Sequence, residues 1–258
     1  MERPALCHPP RLTTSLIPDR PGRSFGIDLD LIDHHLDIRT TAGETDRMAL
    51  EPMTVKDFHA DFVGRLDRMD LHTDIWTMPV ELPDAIPFDE DETHSSYDAD
   101  SVNAFWRAML ETERVFDIFQ ARFLGKASPV HLFWGALDLA VTRFSGRGAP
   151  PHPGGAPNCG PHVMHEAYSH EVSSAGYWPG GGGEGIFYSY AYPEPDGYRT
   201  RPAGPPEAHW STELGEFVLP YTAVRTAADP DAVLLDFLQA TYEAAAETAD
   251  WDRSLERG

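Results

Sequence analysis

The sequence predicts an α+β fold in which duplicated, mainly antiparallel β-sheet units are covered by three main helices about a pseudo-twofold axis. Three observations carry this reading. Residues 12–69 and 172–248 repeat one order of strand, Pro/Gly turn, alternating strand, further strand and amphipathic helix. Within that order Phe25, Ile27, Leu29 and Leu31 answer Ile186, Tyr188, Tyr190 and Tyr192, and alternation of period two suits half-buried strands. A hydrophobic fraction of 41% over 258 residues is enough to close a substantial core.

Taken in order, residues 1–10 form an irregular, Pro-rich N-terminus, and 11–82 the first β-rich and helical repeat. Strands are expected at 11–17, 24–32, 35–40 and 47–51, with residues 32–35 as a tight connection. Thr54 caps a helix whose Phe58, Phe62, Val63 and Leu66 form one apolar stripe. Residues 71–82 read as a further extended segment, ended by Pro83 and Pro87. The acidic linker 83–97 includes Asp89, Glu90, Asp91 and Glu92, whose alternating directions in extended backbone favour a solvated loop over a cation site. Residues 98–252 hold the long helix and the second repeat. Asp98 caps the helix, Val102, Phe105, Trp106, Met109, Phe116, Phe119 and Phe123 line one face, and Gly125 stops it. Residues 130–144 read as one strand, 149–160 as a Pro/Gly loop and 161–169 as a helical turn or two. Strands resume at 170–177, 185–192 and 214–221, and Asp229-Pro230 opens a closing helix to about Ala249.

The formal charge of −22 repels phosphate backbones and anionic lipids, so neither nucleic acid nor membrane is an expected partner. With two cysteines, Cys7 and Cys159, no disulfide framework is available. The first twenty residues contain no continuous apolar run, so a reducing cytoplasm is the expected location. Oligomeric state is not legible.

Candidate chemistry concentrates in the second repeat. His131 and Asp138, seven positions apart, face opposite ways on a regular strand, and a bulge at Gly135 would turn them to one side as a proton-transfer pair. Without it His131 shares a face with Phe133, Leu137, Leu139, Val141 and Arg143. His170 and Glu171 offer an acid/base or ligand pair, although neighbours on a strand point apart. The spacing of His165 and His170 rejects the zinc-protease helix motif, which needs histidines four apart. Cys159, His162 and His165 recur every third residue, and zinc is the cation that a set drawn from His152, Cys159, His162 and His170 would suit. Ser173-Ser174 forms no nucleophile elbow, and Gly180–Gly183 lacks the Lys of a phosphate loop. Arg143 and Arg147 are candidates for holding a carboxylate. Tyr168, Tyr177, Trp178, Tyr188, Tyr190 and Tyr192 suit a pocket wall, or packing under the closing helix.

Several long segments carry a family resemblance: Phe123-Leu124-Gly125-Lys126, Ser128–Gly135, Asp138–Arg147, Pro150-Pro151-His152-Pro153-Gly154-Gly155, Pro157-Asn158-Cys159, Glu166–Gly176 and Trp178-Pro179-Gly180-Gly181. Together they are similar to the bacterial DUF5996 family, from about Arg11 to Asp252. The resemblance implies no reaction, because that family is one of unknown function. It also implies a segment ahead of Leu12-Thr13-Thr14-Ser15 that this chain lacks, so the chain looks shortened at its start. His162 and His165 stand where the family pattern does not call for histidine, which weakens them as ligands.

The sequence therefore points to a protein binding a small polar or anionic molecule and suited to acid/base chemistry. Its expected catalytic residues are His131, Asp138, His170 and Glu171, and its expected binding residues Arg143, His152, Asn158, Tyr177 and Trp178. A metal-dependent hydrolase or oxygenase using His152, Cys159, His162 and His170, and a non-catalytic interaction protein, are the alternatives.

Overall fold

The computed structural model describes residues 5–8, 11–71, 73–180 and 183–256, so Gly181 and Gly182 of the glycine run lie outside the described residues. It divides into two compact units, one of residues 1–110 with 156–159 and one of 111–155 with 160–258. Both combine antiparallel strands with helices, which makes the fold α+β. No helix among the described residues is long and apolar enough to cross a membrane.

In the first unit the strands are β1 (Ala5–His8), β2 (Arg11–Thr14), β3 (Ile17–Arg20), β4 (Arg23–Asp30), β5 (His35–Thr40) and β6 (Thr45–Ala49). Their order is β1-β2-β4-β5-β6, with β3 paired to the opening half of β4. Two expectations are corrected here. A strand occupies residues 5–8 of the supposedly irregular N-terminus, and the single strand expected at 11–17 is two, broken at Ser15-Leu16 so that each half pairs a different part of β4. Helix α1 (Val55–Arg68) starts where the Thr54 side chain accepts the Asp57 amide at 3.0 Å, satisfying one of the free first-turn donors. Its Leu66 closes a core with Phe25, Leu36, Ile38 and Met48, and Phe58 and Phe62 pack against its edge. The described residues of 71–82 form no strand: Glu81 takes a left-handed φ of 64° and Trp76 is 75% exposed, so no ladder or sheet face holds them.

The long helix α2 (Ala99–Ala121) begins beyond Asp98, whose carboxylate accepts the Asp100 and Ser101 amides at 3.0 and 3.1 Å. The second unit carries β7 (His131–Phe133), β8 (Asp138–Gly148), α3 (Pro161–Ala167), β9 (His170–Trp178), β10 (Ile186–Tyr192), β11 (His209–Ser211), β12 (Glu216–Pro220), α4 (Tyr221–Arg225) and α5 (Pro230–Thr248). The strands run β7-β8-β9-β10-β12-β11. Strand β11 and helix α4 are absent from the sequence reading because both are shorter than the window in which periodicity declares itself. The units also differ in connection: β5 follows β4 directly, whereas β11 goes to the edge and β12 returns beside β10.

One face of the second sheet is its core. Leu139, Val141, Ala175, Tyr177, Phe187, Phe217 and Leu219 are buried there with Phe116 and Phe119 of α2 and Phe237, Leu238 and Tyr242 of α5. Asp229 caps α5 by accepting the Ala232 amide at 3.0 Å. The other face is half-buried and polar.

Candidate functional site

The polar face is set by register. Residues 130–144 form a hairpin rather than the single strand expected, with a turn at 134–137 in which Leu137 takes a left-handed φ of 57°. Its ladder pairs His131 with Ala140 and Phe133 with Asp138. Because directly opposed residues share a face, His131 and Asp138 point to the same side through strand reversal, with no bulge at Gly135. Continuing across the sheet, Ala140 is opposite Gly176 and Gly176 is opposite Tyr188, while Thr142, Ser174 and Tyr190 form the next row. Val218 lies opposite Tyr188, so Glu216, two residues earlier, joins that face.

Gly176 is what lets this row carry chemistry. A Cβ there would fall under 3.0 Å from Oη, Cζ and Cε1 of Tyr188, so the tyrosine ring lies flat across the bare backbone of β9. From that position the Tyr188 hydroxyl donates to Asp138 Oδ2, two strands away. Tyr190 stacks beside Tyr188, with centroids 6.2 Å apart and planes 16° apart. Its hydroxyl is 2.8 Å from that of Tyr168, and Thr142 Oγ1 is 2.9 Å from Ser174 Oγ. His152 lies on Tyr168, centroids 4.4 Å apart, and against Tyr192 at 4.9 Å. The Gly154 amide donates to His152 Nδ1 at 3.0 Å, which places the ring proton on Nε2.

Burial dominates the electrostatics. It raises the Asp138 carboxyl above the ordinary carboxylate range, against the lowering effect of the Tyr188 hydrogen bond and of His131. Burial, reinforced by the neighbouring Asp138 charge, raises Glu216 to about 7. Burial likewise lowers His131, and because the Pro129 carbonyl can only accept, the ring nitrogen 2.7 Å from it carries the proton: Nδ1–H donates and Nε2 keeps its lone pair. Tyr188 and Tyr190 are held well above the usual phenol range by burial, so both are neutral donors.

Other residues expected at the site are placed elsewhere. Arg143 sits on the opposite, helix-covered face, 1% exposed, with its guanidinium 3.5 Å from the Phe119 ring centroid and 4.3 Å from that of Tyr242. It donates to the Phe119 carbonyl, and burial lowers it to about 10. Its expected role in holding an anion is therefore corrected: the cation is sealed among aromatic rings. Tyr177 belongs to that buried face as well, beside Phe187 and Tyr221. Trp178 remains on the polar side, half-buried. Glu171 is engaged by Ser145 Oγ at 2.8 Å and by Arg147 at 2.7 Å, and His170 is exposed, its ring 3.1 Å from Ser169 Oγ. These two do not form an acid/base pair, because adjacent strand positions face apart. Asn158, in the first unit, takes a left-handed φ of 54° and donates to the Leu82 carbonyl at 3.0 Å, a turn-holding role.

Of the zinc set, Cys159 belongs to the first unit and His152, His162 and His170 to the second, and these three histidines do not converge. Among the described residues, the group of donors lying within 4.8 Å of one another is Asp30, Asp33 and His35. Sequence reading missed Glu216 and Gly176 and saw Tyr188 only as wall. A glycine inside a strand was the available signal for a close approach.

A family model described as "Family of unknown function (DUF5996)" matches residues 4–257. No curated protein and no solved structure matches the chain.

Proposed function

This chain belongs to DUF5996, and since that membership carries no reaction, we propose from the geometry that the tyrosine face of the second sheet binds a small polar molecule and transfers protons to and from it. The observation that supports this most is the pair of carboxyls, Asp138 and Glu216, raised by burial on one half-buried face. A carboxyl poised near neutrality, as Glu216 is, is matched to general acid/base work, because it is both available as acid and able to return as base. Asp138 is oriented by the Tyr188 hydroxyl, as a base must be before it can act. His131, uncharged and with its Nε2 lone pair retained, is a second proton acceptor on the same face. With Arg143 turned away, this face presents carboxyls and phenols and no guanidinium from β8, which favours an uncharged or cationic ligand over an anionic one.

A thermal-shift screen of polyols, amines and small carbonyl compounds tests the proposal on wild-type protein, Asp138→Asn and Tyr188→Phe. The expected result is a class of compound that raises the wild-type melting temperature and fails to raise that of either variant. Compounds that stabilise all three proteins equally, or a screen in which none stabilises the wild type, would overturn it.

A further inference from the structure

The hairpin between β4 and β5 carries a second, unrelated constellation in the first unit. Asp30 ends β4 and is directly opposite His35 at the start of β5, with Asp33 in the turn between them. One donor atom from each of the three residues lies within 4.8 Å of the others. His35 is 7% exposed, and its buried Nε2 has no hydrogen-bond partner. That nitrogen lies 4.0 Å from Asp30 Oδ2 and 3.4 Å from Asp37 Oδ2. A buried, unsatisfied ring nitrogen aimed at carboxylates is costly unless something sits between them.

We propose that Asp30, Asp33 and His35 bind a divalent first-row cation such as Zn²⁺ or Mn²⁺. One imidazole with two carboxylates is a mixed nitrogen and oxygen set of the kind those cations accept. Ligand atoms about 2.0–2.2 Å from a metal stand about 3.0–3.5 Å apart, so closing the site asks for a contraction of less than about 1 Å between Asp30 and His35. Asp30 is already oriented: its Oδ1 accepts the Ile32 and Asp33 amides at 3.0 and 2.9 Å, leaving Oδ2 for the cation. The turn is held from outside by Asn103 Nδ2 on the Leu31 carbonyl and by Tyr97 Oη beside His34 Nδ1, each at 2.9 Å. Asp37 is an outer carboxylate, since Arg47 at 2.7 Å and Arg39 at 2.5 Å already occupy it. The facing cations are Arg11, whose Nε is 4.0 Å from Asp30 Oδ2, and the two arginines on Asp37. Against them stand four carboxylates, Asp28, Asp30, Asp33 and Asp37, so the site keeps a negative excess.

The test is calorimetric titration of chelator-treated full-length chain with Zn²⁺, and spin-resonance titration with Mn²⁺. One cation per chain is expected. Asp33 is exposed, so Asp33→Asn leaves the fold intact and is expected to weaken binding at least about tenfold, as is His35→Gln with an unchanged circular-dichroism spectrum. Asp138→Asn is expected to bind as wild type does. Absence of binding up to millimolar cation would overturn the site in favour of direct contact of His35 with Asp30 and Asp37. Binding undiminished in Asp33→Asn and His35→Gln would overturn it in favour of diffuse association with the acidic surface.

Discussion

Gly176→Ala tests the arrangement on which the candidate site depends. The added methyl would sit under 3.0 Å from three atoms of Tyr188, against ordinary carbon contacts of about 3.5–4.0 Å. Backbone conformation is not at issue, because Gly176 has no left-handed φ and its strand geometry suits any residue. The whole effect is therefore one of space. To clear the methyl the ring must retreat from β9, and its hydroxyl then leaves Asp138, which has no other side-chain donor among the described residues. Overpacking of this kind costs about 1–3 kcal/mol, and a lost hydrogen bond to a buried carboxyl about 1–3 kcal/mol more. The expected sum is about 2–6 kcal/mol, read as a lower urea midpoint with unchanged slope. Tyr188→Phe should lose only the hydrogen-bond part. In a Tyr188→Ala background, where the ring is gone, Gly176→Ala should cost less than about 0.5 kcal/mol. If the glycine substitution alone leaves stability within about 0.5 kcal/mol of wild type, or costs as much without the ring as with it, the account of the tyrosine row is wrong.

Two further perturbations separate the faces of this sheet. Glu216 is raised from 4.5 to about 7 in the folded chain, so between those values the folded state keeps a proton that the unfolded state has lost. Stability from this group is thus complete below pH 4.5 and declines as pH rises through 7. Glu216→Gln should flatten that decline by up to about 3 kcal/mol in denaturation curves measured at several pH values, and an unaltered pH slope would exclude the shift. Glu113, raised to about 7 by burial and by Asp117, should supply the slope that persists. Arg143→Ala removes a guanidinium packed against Phe119, Phe123 and Tyr242 and should cost about 2–5 kcal/mol while leaving the Asp138 and Glu216 titrations, followed by carboxyl NMR, in place. Movement of those titrations with little loss of stability would return Arg143 to the polar face.

What the sequence determined by itself is local. The α1 and α5 starts at Thr54 and Asp229 were legible because a cap is a contact over three residues, and β4 and β10 because alternation is written within a single strand. The charge and the apolar content likewise belong to the chain before it folds. The tertiary structure decided which residues meet. Reversal at 134–137 rests on a left-handed Leu137, a conformation that leucine does not announce, and it turned His131 and Asp138 to one side where strand parity had set them apart. Tyr188 and Asp138 are fifty positions apart, joined only because β8, β9 and β10 pair in one register with a glycine between them. The same register sent Arg143 and Tyr177 into the core. A shift of one residue on any of these strands would exchange the two faces, and since register is fixed by packing across the sheet, no stretch of sequence read alone contains it.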